Sequence, residues 1–131
     1  MRVEYISAGA RPELPVLLMF DITKDNILNF KAILGHILRG VVGELNLEAQ
    51  LNNYQSLGEC KIKIVRQDET CKFERKLPKY EFIYTLSIEN IKDIVEQLNT
   101  FAENFSKNSH INIAPKGSLP FILSTNKDMD W

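Results

Sequence analysis

The reactive side chains of this sequence are few and scattered: His36, Cys60, Cys71 and His110. A structural zinc site needs ligand pairs at short spacing, which two isolated histidines and two distant cysteines do not supply. A reactive thiolate needs a histidine or a helix N-terminus beside it, and the sequence implies neither for either cysteine. On the helical wheel His36 falls opposite the apolar stripe of its helix, so a solvent-facing ring outweighs a catalytic one. His110 lies in a polar stretch without a recognisable partner. G-x-x-x-x-G-K, G-x-G-x-x-G, H-E-x-x-H and G-x-S-x-G are all missing. The reading assigns no catalytic residue, no metal ligand and no cofactor.

Charge carries more information. Glu89, Asp93, Glu96 and Glu103 fall on one side of the polar face of a helix read over 88–105, opposed chiefly by Lys92. Asp128 and Asp130 add negative charge in the last residues. Trp131 is read either as a last piece of core or as an interface anchor, the role in which tryptophan is enriched. These seven residues are the candidate partner-binding set. The ordinary alternative is a solvated helix face. The sharper reading is an acidic surface that steers a basic partner.

A second constellation has the opposite sign. Between 61 and 81 stand seven basic residues (Lys61, Lys63, Arg66, Lys72, Arg75, Lys76, Lys79) against Asp68, Glu69, Glu74 and Glu81, a net of +3. Phe73, Tyr80, Phe82 and Tyr84 interleave with them, in the manner of a nucleic-acid surface. The competing reading is a solvated hairpin whose lysines blunt an edge strand, and the four acids favour it.

Several elements must position these groups. At 131 residues the chain is read as one domain, 1–131, long enough to bury a core without staples. Its 44% hydrophobic and 25% charged residues place it among ordinary globular chains, and a net charge of −1 selects neither nucleic acid nor membrane. The start of the sequence lacks the apolar run of a signal peptide, and two cysteines are too few for a disulfide framework. The expected setting is a reducing, cytoplasmic one, with no membrane span. No internal repeat is evident.

In the organising helix, apolar residues at 88, 91, 94, 95, 98, 101, 102 and 105 form one stripe behind a Ser87 N-cap. A second helix is expected from Ile27 to about Val42, opened by Thr23 and ended by Gly40 and Gly43. Gly35 inside it implies either a close neighbour or a shorter helix. Strands are expected at 2–7, 14–22, 60–66, 71–76 and 80–86, with a short one near Ile111 and Ile113 and an edge strand at 121–123. The segment 46–57 reads as helix or loop. A hairpin pairing 66 with 71 would put Cys60 near residue 77, away from Cys71, so both are expected as free thiols. The sum is an α+β chain: a mostly antiparallel sheet with two main helices packed on it.

The terminal stretch Leu119-Pro120-Phe121-Ile122-Leu123-Ser124-Thr125-Asn126-Lys127-Asp128-Met129-Asp130-Trp131, on a small and slightly acidic α+β chain, resembles immunity proteins of contact-dependent growth inhibition systems in bacteria. It spans about a tenth of the chain and carries no diagnostic motif. The resemblance implies only a type of function: a non-enzymatic protein that binds and neutralises a cognate toxin domain, often a nuclease. The alternatives are a nucleic-acid-binding module built on the 61–81 hairpin, and a small enzyme or ligand-binding protein with a pocket that the sequence does not reveal.

Overall fold

Two helices start from matching local signals. In a computed structural model, which describes residues 1–6, 15–40, 43–68, 71–76, 79–106 and 109–126, helix α1 runs Lys24–Leu38 and helix α3 runs Ile88–Glu103. Thr23 and Ser87 each accept the N–H of the asparagine three residues on, and Asn26 and Asn90 bond back to the cap. These reciprocal capping boxes satisfy first-turn donors that the helix itself cannot. Between the two lies a one-turn helix α2, Leu47–Gln50.

Helix α1 stops at Leu38, short of the expected Val42. Gly40 follows in the left-handed region at φ +76°, a conformation that favours glycine. Gly35 lies well inside α1, and the only group near the space of a Cβ is the Arg39 side chain, its Nη1 at 3.2 Å. That guanidinium can swing aside. Gly35→Ala is therefore expected to raise stability by about 0.5–1 kcal/mol through helix propensity, read as a shift in the urea midpoint.

The strands form two sheets rather than one. Strands β1 (Arg2–Ile6), β2 (Val16–Phe20), β4 (Gln55–Leu57), β8 (His110–Asn112) and β9 (Phe121–Ser124) make the first, in the order β4-β1-β2-β9-β8. Strands β3 (Glu44–Asn46), β5 (Lys61–Arg66), β6 (Lys72–Lys76) and β7 (Glu81–Leu86) make the second, in the order β3-β5-β7-β6. The α+β class holds, but parallel pairs (β1 with β4, β2 with β9, β5 with β7) nearly match the antiparallel ones. The segment 46–57 resolves into the end of β3, α2 and β4.

Two expected pairings are corrected. Strands β5 and β6 do not form a hairpin: β7 inserts between them, parallel to β5 and antiparallel to β6. The 121–123 strand is not an edge, because β9 lies between β2 and β8. Its Phe121 and Leu123 are buried, an environment that an interior position supplies.

The pairing pattern repeats. Strands β1-β2-β9-β8 pair antiparallel, parallel, antiparallel, and β6-β7-β5-β3 pair in the same sequence of senses. Each sheet thus takes two consecutive strands from one half of the chain and two strands from the other. A trace survives in sequence: Phe20-Asp21-Ile22-Thr23-Lys24-Asp25-Asn26-Ile27 aligns with Tyr84-Thr85-Leu86-Ser87-Ile88-Glu89-Asn90-Ile91. Among the described elements, only β4 and α2 lack counterparts.

One buried cluster contains residues of both sheets and all three helices. At its centre Phe73 stacks on Phe82 and Phe121, with ring centroids 5.8 and 4.8 Å apart, and Tyr84 meets Phe73 edge-on at 5.3 Å. Helices α1 and α3 pack on each other, where Lys31 donates to the Asn99 side chain.

Cys60 and Cys71 are free thiols, though not for the reason that the hairpin gave. Lys61 pairs with Glu81 and Lys72 with Thr85, which sets the cysteines at opposite ends of β7, about 20 Å apart at 3.3 Å per residue. A disulfide needs Cα atoms within about 7 Å. Burial pushes both thiols above their ordinary range, so they stay protonated at neutral pH and react slowly. Titration of the unfolded, unreduced chain should count two thiols. In the folded chain the half-buried Cys71 should react before the buried Cys60.

Candidate protein-binding face

The four acids of α3 sit where the wheel puts them. Ile91, Ile94, Leu98 and Ala102 are buried on one side, while Glu89, Asp93, Glu96 and Glu103 are exposed on the other. At 100° per residue the four carboxylates share an arc of about 80°. At 1.5 Å rise they form a row about 21 Å long. Phe105, assigned to the apolar stripe, instead lies past the helix end and is exposed.

Helix stability does not account for this row. Like charges three and four residues apart repel by a few tenths of a kcal/mol. Glu89 is favourable in the first turn, but Glu103 adds negative charge at the C-terminal end, where the dipole is already negative. Among the described residues none of the four is in an ion pair; the pairs present are Lys63–Glu44, Arg66–Asp68, Lys72–Glu74 and Lys76–Glu74. Asp128, Asp130 and Trp131 lie outside the described residues.

Beside the row, the flank of α3 opens onto β8. A groove of about 650 Å³ is lined by Asp93, Glu96, Gln97, Thr100, Phe101, His110 and Ile111, among others. A smaller hollow of about 270 Å³ continues it toward the helix start, sharing Asp93 and Gln97 and reaching Asn90. Sequence periodicity located the acids but not this groove, because its second wall comes from a three-residue strand.

The basic constellation is dismantled by the topology. Phe73, Phe82 and Tyr84 are buried, so they offer no stacking platform to bases. Arg75 lies over the rings of Tyr5 and Tyr80, at 4.9 and 4.7 Å, and its Nε donates to the Lys79 carbonyl. Lys63, Lys72 and Lys76 each pair with a glutamate. What remains is a mixed-charge sheet face, the solvated alternative. Cys60 and Cys71 lie far apart, and His36 is exposed with its ring beside Arg39. Among the described residues no group of three or more His, Cys, Asp or Glu could hold a metal ion. No helix among them is long and apolar enough to cross a membrane.

The chain matches no family model, no curated protein and no solved structure.

Proposed function

We propose that this chain is a non-enzymatic binding protein, an immunity protein that neutralises a bacterial toxin domain by docking a basic surface against the acid row of α3. The observation that carries the reading is the row itself: four exposed carboxylates on one arc, among the described residues without a cation pair and at some cost to the helix. Such a field speeds encounter with a basic partner and does little for stability. A nuclease domain, which must be basic to hold nucleic acid, is the matching target. The toxin resemblance supplies the partner class, and the neighbouring genes supply the partner to test.

Glu89→Gln, Asp93→Asn and Glu96→Gln together should slow association with that toxin about tenfold at low salt. The difference should shrink at high salt, where screening shortens the field. Unfolding stability should barely change, because all three side chains are exposed. Surface-plasmon kinetics read both rates. An association rate unchanged at every salt concentration would remove this face from the interface.

A further inference from the structure

The two halves differ in one respect that bears on the groove. Their capping boxes put α1 and α3 in register, so Asn26 corresponds to Asn90, Asn29 to Asp93, Ile33 to Gln97 and Ile37 to Phe101. In α1 this flank is closed: Asn26, Ile33 and Ile37 are buried. In α3 the same flank is open: Asn90 and Phe101 are half-buried and Gln97 is exposed.

At Asn26 and Asn29 the cover in the first half is the segment that follows α2. Leu47 and Leu51 are buried in the core, and Asn52 is tied to α1 by its backbone. Its N–H donates to the Asn29 side chain at 3.0 Å, and its carbonyl accepts from Asn26 Nδ2 at 3.5 Å. The second half has no such insertion, because the chain passes from β8 to β9 through 113–120. Asn90 nevertheless repeats Asn26, and its Nδ2 has no partner among the described residues. Asp93 repeats Asn29 as an acceptor, now charged.

The geometry points to the α3–β8 groove as a docking site for a short segment of a partner protein, one helical turn with two aliphatic side chains four residues apart and a basic flank. The covered flank of α1 is the internal template for the apolar turn and its two backbone bonds. Asp93 and Glu96, in place of Asn29 and Ala32, select a basic occupant. Phe101 and Ile111 supply the apolar wall. This deepens the binding function proposed above and rests on it for the existence of a partner.

The probe is a fluorescein-labelled peptide of residues 45–54 carrying Glu48→Lys, titrated by fluorescence polarisation against the whole chain. Saturable binding is expected, with amide shifts in nuclear magnetic resonance at Gln97, Thr100 and Ile111. Thr100→Arg, a solvent-facing change that fills the groove, should weaken binding at least about tenfold, and so should Asp93→Leu, which removes the acceptor. Asp93→Asn should weaken binding less than Asp93→Leu, because the amide oxygen still accepts, as Asn29 does in the first half, and only the charge is lost. A peptide with Leu47→Ser and Leu51→Ser should not bind.

Each of these results would overturn the assignment: no saturable binding, binding indifferent to Thr100→Arg, shifts confined to another surface, or self-association abolished by Thr100→Arg, which would make a second copy the occupant. Tenfold tighter binding by a chain ending at Asn126 would overturn it in favour of the chain's own last residues. The groove and the acid row fail separately. A peptide that does not bind, beside a toxin whose association is slowed by the charge variant, sinks only the groove.

Discussion

Leu98→Ala is expected to lower the unfolding free energy by about 2–5 kcal/mol. Leu98 is fully buried on the core side of α3, between Ile94 and Ala102 and two turns from Ile91. Removing its isobutyl group loses the transfer free energy of that group and leaves a cavity that a packed core refills only in part. Ile94→Ala should fall in the same range, toward its lower end, because Ile94 keeps 5% of its surface exposed. Chemical denaturation with an unchanged m-value would check both. Losses below about 1 kcal/mol in both variants would mean that the apolar side of α3 is not the core element described.

Tyr84→Phe is expected to cost about 1–3 kcal/mol without disturbing the aromatic cluster. Tyr84 is fully buried, and its hydroxyl donates to the Ile113 carbonyl. That bond links β7 of one sheet to the residue after β8 of the other. Phenylalanine fills the same space, so the loss isolates the hydroxyl and the carbonyl it leaves unpaired. Burial pushes the phenol well above its ordinary range, so the donor is retained throughout the neutral pH region. Urea denaturation of the variant against the parent reads the difference. A change within about 0.5 kcal/mol would mean that the Ile113 carbonyl finds another donor.

The helices were legible because their signals are local. A cap and a period near 3.6 are written within one stretch, and the helix expected over 88–105 is α3, ending two residues earlier at Glu103. The strands were legible as strands but not as neighbours. Gln67-Asp68-Glu69-Thr70 looks like a tight turn, and nothing between Cys60 and Lys76 shows that β7 will enter between β5 and β6. That choice is made by Phe82 and Tyr84, whose burial among Phe73 and Phe121 requires a central strand. Strand β9 was expected at an edge, and no local signal shows that β2 and β8 flank it and that Phe121 and Leu123 join the core. The acid row was legible, since four charges on one helix face need only the period. The groove was not, because a sector left open on α3 shows only against its covered counterpart on α1.

The exchange of strands between halves also sets an order of events during synthesis. Strand β2, buried at all five positions, leaves the ribosome about a hundred residues before its parallel partner β9. Strand β7 pairs back to β5, and β3 waits on β5 as well, so the second sheet can be assembled once Leu86 has emerged. The first sheet cannot. Until Phe121-Ile122-Leu123 arrive, Leu17, Leu18 and Met19 keep one unpaired edge of apolar backbone, the kind of edge that recruits foreign strands. A nascent chain paused before residue 121 should therefore be sensitive to protease and bound by holding chaperones, and release of a few more residues should end both. The hazard lies in the longest-range pairing of the fold, which also makes its folding slow for its size.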